Sequence, residues 1–162
     1  MKIEKRLSRI KLLVMDCDGV LTDGRLYFGA NGEALKAFFV RDGQGLAYWH
    51  KSGYRSAIIS GRESSIVESR ARELGIEFVI QGRVDKTVAF DELISRAQVS
   101  AEEVAYIGDD IPDADLMPLV GFAAAPKDAM DEAKAAAHYV TKKKGGQGAV
   151  RELIDLLLKH RG

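Results

Sequence analysis

Short apolar runs alternate with longer amphipathic stretches along the whole chain. The runs IKLLVM (10–15), YRSAIIS (54–60), EFVI (77–80), EVAYIG (103–108) and VGFAAA (120–125) have the length and composition of buried strands, and AHYVT (137–141) that of a sixth strand at an edge. Between them, 43–52, 63–74, 85–97, 112–118, 127–136 and 147–160 read as helices. In the last of these, Val150, Leu153, Ile154, Leu157 and Leu158 recur at the spacing of one packed helical face. In 63–74, Ile66, Arg70 and Leu74 are four apart and predict a common face. Strand and helix in repeated alternation predict an α/β fold: a doubly wound parallel sheet with helices on both faces. Near-continuous apolar strands fit burial on both sides. Such sheets carry their sites at the carboxyl ends of the strands.

One segment breaks the alternation. GRLYFGANGEALKAFFV (24–40) reads as two short strands around the turn GANGE, a β-hairpin inserted after the first strand. It carries Leu26, Tyr27, Phe28, Phe38 and Phe39. An isolated hairpin is marginal in water. Two covers are open: another subunit, or the chain's own core.

Composition narrows the class. The 162 residues, 46% hydrophobic and 30% charged, are read as one soluble domain, 1–162, large enough to fold without disulfides or structural metal. Lys plus Arg equals Asp plus Glu at 24 each, so no net charge argues for nucleic acid or an anionic membrane. Cys17 is the one cysteine, which excludes an intramolecular disulfide and fits a reducing compartment. The basic N-terminus has too short an apolar stretch for a signal peptide, and no run approaches the ~20 residues of a membrane span. A cytoplasmic protein is expected.

The polar residues at the strand ends carry the chemistry. The first strand ends in Asp16 and Asp18, the second in Ser60, Gly61 and Arg62, and the fourth in Asp109, Asp110 and Asp113; Lys86 follows the third. In a parallel sheet these ends share one edge. Clustered carboxylates repel one another unless a cation joins them. Hard oxygen ligands at a partly solvated site suit magnesium, which takes few carboxylates and a substrate phosphate. A carboxylate beside such a cation can attack phosphorus, with Asp16 as nucleophile and Asp18 as acid/base. Ser60, the Gly61 amide and Lys86 are then candidates to bind the phosphate oxygens. A phospho-accepting regulator has a similar acidic pocket, but the Asp-x-Asp pair favours turnover.

DxDGxxT at 16–22, Ser60, Lys86 and GDDxxD at 108–113 resemble the four motifs of the haloacid dehalogenase superfamily phosphatases. The resemblance implies a Rossmann-like fold, Asp16 as nucleophile, Asp18 as acid/base, and magnesium held by Asp16, Asp109 and the backbone carbonyl of Asp18. It makes Asp110 and Asp113 supporting acids, contacting metal-bound water or Lys86. The further stretches VRDGQGL, ISGR, AAAHYVT and GGQGAVREL are similar to the branch of that superfamily that acts on 3-deoxy-D-manno-octulosonate 8-phosphate in lipopolysaccharide synthesis. That branch has no cap domain, and its hairpins assemble a homotetramer, which favours a partner subunit as the cover of 24–40. Phosphatases of nine-carbon, sialic-acid-type sugar acids share nearly the same motifs and remain the alternative.

An acidic sugar phosphate needs cations besides the metal. Arg62 is the first candidate, with Arg41 and Arg151 as further ones, since guanidinium suits carboxylate. The run TKKKGGQG (141–148) can attract an anion or simply be solvated. Cys17 is expected to pack inward, Trp49, Met15, Met117 and Met130 to lie in the core, and His50, His138 and His160 match no ligand spacing.

Overall fold

The computed structural model describes residues 2–161. A short helix that the sequence pattern did not announce, α1 (Ile3–Leu7), precedes β1 (Leu12–Met15). A hairpin of β2 (Tyr27–Gly29) and β3 (Gly32–Leu35) follows. Then come α2 (Val40–Lys51), β4 (Arg55–Ile59), α3 (Ser65–Leu74), β5 (Phe78–Ile80), α4 (Lys86–Ala97) and β6 (Val104–Ile107). The chain ends through α5 (Ile111–Leu116), β7 (Phe122–Ala125), α6 (Asp131–Ala136), β8 (Tyr139–Val140) and α7 (Ala149–Lys159). Among the described residues no helix is long and apolar enough to cross a membrane.

Six strands form one parallel sheet in the order β5-β4-β1-β6-β7-β8, and the hairpin stands apart as a second, two-stranded sheet. Successive side chains of a strand face opposite ways. Leu13 and Met15 of β1 therefore enter one core, with α2 and α7, while Leu12 and Val14 enter the other, with α4. On the first face α7 buries Val150, Leu153, Ile154 and Leu157 completely, each contributing about 1.5–3 kcal/mol. The chain leaves β1 toward β4 and β5, and leaves β6 in the other direction toward β7 and β8. The reversal opens a crevice between the carboxyl ends of β1 and β6, where doubly wound sheets bind their ligands.

One local expectation is refined and one corrected. Ile66, Arg70 and Leu74 form a half-buried flank of α3, with Leu74 packed against a core cluster, while the fully buried residues of the helix are Val67 and Ala71. The Arg70 guanidinium lies over the Phe38 ring, 5.5 Å from its centre, with its side chain 20% exposed. Met130 is not core: it precedes α6 and is 52% exposed. Met15, Met117, Trp49 and Cys17 are buried as expected.

The hairpin does not fold back on its own core. Leu26, Tyr27, Phe28 and Leu35 are all exposed, and only Phe38, beyond the second strand, packs against a core cluster.

Candidate active site

The crevice is a cavity of about 300 Å³ lined by Asp16, Asp18, Gly24, Ser60, Gly61, Arg62, Lys86, Asp109, Asp110, Pro112 and Asp113. Every candidate residue from the strand ends and Lys86 therefore meets in one place. Each arrives on a different element. Asp16 extends β1 by one residue, its amide donating to the Ile107 carbonyl of β6 at 3.0 Å. Alternation along β1 turns its side chain to the α4 face. Cys17 points the other way, into the opposite core, where burial pushes its thiol above the range of a reactive cysteine.

Asp18 sits in the turn that follows, closed by Gly19 at φ +85°. Gly19 has a second reason to be glycine: a Cβ there would lie 1.9 Å from Asp109 Oδ2. The loops after β1 and β6 can approach only because that atom is missing.

Lys86 is the first residue of α4, behind the N-cap Asp85, whose carboxylate accepts the Thr87 and Val88 amides. A cation at a helix N-terminus opposes the helix dipole. Here it is offset by Asp113, 2.6 Å from Lys86 Nζ, and by Asp16 at 3.2 Å. Asp113 is the hub of the site. Its Oδ1 accepts from Lys86 and from the Tyr106 hydroxyl, and its Oδ2 accepts the amides of Asp109 at 2.9 Å and Asp110 at 3.1 Å. Tyr106 was not singled out in the sequence. The clue was its place in the fourth apolar run, two residues before Gly108, on the same strand face as Asp16.

The charges settle unequally. Burial would raise Asp113, but the Lys86 charge and its hydrogen bonds hold it below the usual carboxylate range. Burial and the Asp113 charge push Asp16 up to about 6 despite Lys86. Burial and the neighbouring Asp16 push Asp109 up to about 9. Two carboxyls so raised, with oxygens close together, are a pair that a divalent cation would relieve.

The oxygens of Asp16, Asp109 and Asp113 lie within 4.8 Å of one another. Asp113 already has four donors, which leaves Asp16 and Asp109 for a cation. Among the described residues the Asp18 backbone carbonyl accepts no backbone hydrogen bond, so it too is available. Two carboxylates and a carbonyl, with room for waters and a phosphate, suit magnesium.

Arg41 and Arg151 do not reach this crevice. They line a separate cavity of about 570 Å³ with Phe39, Tyr139, Lys142 and Lys143. Arg151 pairs with Asp155 at 3.1 Å and lies over the Tyr48 ring. The glycine-rich tail braces the loop after β1 from behind: the Gly146 amide donates to the Val20 carbonyl at 3.0 Å, and Gly145 lies against Gly19. His50 bonds Ser56, and His138 accepts the Ala123 amide; neither approaches the crevice.

Comparison with known proteins agrees with this geometry. A family model described as haloacid dehalogenase-like hydrolase matches residues 75–154. The chain is 49% identical over 154 residues to the 3-deoxy-D-manno-octulosonate 8-phosphate phosphatase KdsC of Yersinia pestis, covering 95% of this chain and 82% of that one. It is 46% identical over 157 residues to KdsC of Escherichia coli K12, covering 97% and 84%. Among solved structures, the phosphatase of Moraxella catarrhalis in complex with magnesium, phosphate and KDO superposes with a TM-score of 0.95 at 42% identity, covering 98% of this chain and 91% of that one.

Proposed function

Since this chain belongs to the haloacid dehalogenase-like hydrolases, among the phosphatases of the KdsC family, we propose that it hydrolyses 3-deoxy-D-manno-octulosonate 8-phosphate to the free sugar acid and inorganic phosphate, as a cytoplasmic step of lipopolysaccharide precursor synthesis. The observation that carries the reading is the meeting of Asp16, Asp18, Ser60, Lys86 and Asp109 around one open cavity at the sheet's switch point.

In this reading an Asp16 carboxylate oxygen attacks phosphorus, and the bond from phosphorus to the sugar oxygen breaks. Asp18 gives its proton to that departing oxygen. Asp18 then takes a proton from water, which attacks the phosphorus of the aspartyl phosphate, releases phosphate and restores Asp16. Ser60 Oγ, the Gly61 amide and Lys86 Nζ bind the non-bridging oxygens as charge develops on them. Lys86 is held for this by Asp113 rather than left to swing in solvent. Asp16, Asp109 and the Asp18 carbonyl would hold magnesium, which would supply the positive charge that lets an anionic nucleophile approach an anionic phosphate. Arg62, at the cavity wall and half exposed, is the cation for the sugar-acid carboxylate.

The whole chain, 1–162, acts as one capless domain. The exposed apolar hairpin 24–40 supports assembly into a homotetramer. The deciding experiment is phosphate release from 3-deoxy-D-manno-octulosonate 8-phosphate, with magnesium and with chelator, for wild type and Asp16→Asn. Multiple turnovers lost with either change are expected. Greater kcat/KM for a nine-carbon 9-phosphate would overturn the substrate assignment.

A further inference from the structure

Among the described residues no backbone amide holds the Asp18 side chain; two cations do. Lys36 Nζ lies 2.6 Å from Asp18 Oδ1, and Arg62 Nε lies 3.7 Å from Oδ2. The two are not equivalent. The Arg62 side chain is 47% exposed, whereas that of Lys36 is 2% exposed. Lys36 follows the last residue of β3, on the hairpin, and belongs to none of the motifs that flank the crevice. Nor is it among the residues that line the cavity; it stands behind Asp18, which does line it.

Lys36 is itself anchored. Its ammonium also contacts Glu33 Oε1 at 2.7 Å, and Glu33 Oε2 accepts from Ser64 Oγ at 2.7 Å. Ser64 precedes α3, and its amide donates to Gln81 Oε1 at 3.0 Å. A continuous polar chain therefore runs from the body of the fold, through Ser64, Glu33 and Lys36, to Asp18. A buried ammonium between two carboxylates has little freedom, because leaving either one strands an unpaired charge.

We propose that Lys36 is the positioning residue of the acid/base. By gripping Oδ1 it fixes the Asp18 carboxylate in one rotamer, leaves Oδ2 as the oxygen that exchanges protons with the leaving alcohol and with water, and ties that rotamer to the seating of the hairpin. The inference rests on the reading of Asp18 as acid/base.

The test separates the two readings by leaving group. A sugar alkoxide needs a proton as it departs, whereas p-nitrophenolate does not. The readout is kcat/KM, which covers the steps up to alcohol release and not the later attack of water. Asp18→Asn is expected to lower kcat/KM for the sugar phosphate by about 100-fold or more, and for p-nitrophenyl phosphate far less. Lys36→Met should follow the same pattern in weaker form, about tenfold or more on the sugar phosphate and under about threefold on the aryl ester. Lys36→Arg should recover most of the loss, since it restores a donor to Oδ1. Lys36→Met is expected to melt below wild type, because Asp18 and Glu33 lose their shared cation, and Lys36→Arg close to it, so the assays are run well below both melting temperatures and the contrast between leaving groups is the readout. Equal loss on both substrates, or no loss on either, overturns the role of Lys36. Equal loss on both for Asp18→Asn overturns instead the acid/base reading beneath it.

Discussion

The Asp113 carboxylate holds Lys86 with one oxygen, at 2.6 Å, and the amide of Asp109 with the other, at 2.9 Å. One buried side chain thus sets the position of both the cation on α4 and the loop after β6. Asp113→Ala would leave the Tyr106 hydroxyl and two amides without an acceptor, and Lys86 with Asp16 alone. A loss of about 3–5 kcal/mol in urea denaturation is expected, with activity abolished. Tyr106→Phe removes one donor only and should cost about 1 kcal/mol.

The tail packs on the loop that carries Asp18 with no room to spare. A Cβ at Gly145 would lie 1.8 Å from the Gly19 carbonyl oxygen, and one at Gly146, at φ +69°, 2.4 Å from the Asp23 amide. Gly145→Ala must displace either the tail or the turn that carries Asp18. It is expected to destabilise by about 1–3 kcal/mol and to lower kcat although no catalytic side chain has changed. A thermal melt and a steady-state assay would check both.

Metal binding should be coupled to protons. Before a cation joins them, Asp16 is pushed up to about 6 and Asp109 to about 9, by burial first and then by neighbouring carboxylates. Both folded values lie above the unfolded ones. The folded state therefore binds more protons, and the stability these groups contribute is lost as pH rises through the folded values. His50 and His138, lowered by burial, have the opposite slope but only below their ordinary range. Chelated protein should therefore lose Tm between pH 7 and 9, and magnesium should raise Tm more at pH 8.5 than at pH 6. Calorimetry in buffers of different ionisation enthalpy should record proton release on magnesium binding.

Asp42 offers a second pH test, away from the crevice. It is 2% exposed in α2, its Oδ1 accepts the Arg151 amide at 2.9 Å, and its Oδ2 has no partner. Burial pushes its carboxyl up to about 6. Its stabilisation is complete below the unfolded value and fades as pH rises through about 6. Asp42→Asn does not titrate. Its stability relative to wild type should rise by about 1–2 kcal/mol from pH 5 to pH 8, measured by urea denaturation at both.

The hairpin predicts assembly. Phe28 is 61% exposed and Leu26 45%, side by side with Tyr27 and Leu35. In the proposed homotetramer, Phe28→Glu should shift sedimentation toward smaller species while far-ultraviolet dichroism stays unchanged, since neither core loses a residue.

Much of the fold was legible because its signals are local and periodic. A strand buried on two faces must be apolar throughout, and a helix lying on it must show an apolar stripe; both are written in consecutive residues such as 12–15 and 149–159. Parallel order then sends every strand's carboxyl end to one edge. That is why Asp16, Asp18, Ser60, Lys86 and Asp109 could be brought together from sequence and do line one cavity.

What the chain alone left open depends on contacts between residues far apart, which leave no period behind. Nothing local marks Lys36 as the partner of Asp18, 18 positions away, or Tyr106 as a donor to Asp113. Arg41 and Arg151 had the right chemistry, yet lie in another cavity, because the N-termini of α2 and α7 come together there. Ile66, Arg70 and Leu74 had a helical spacing, but that spacing could not tell a half-buried flank from the fully buried pair Val67 and Ala71. Sequence determined which elements form and which residues stand at the sheet's edge, since backbone geometry and burial of apolar surface act at short range. Tertiary structure decided which charges meet, since a buried ion pair is set by the three-dimensional approach of two chain segments and by the lack of any other partner for either charge.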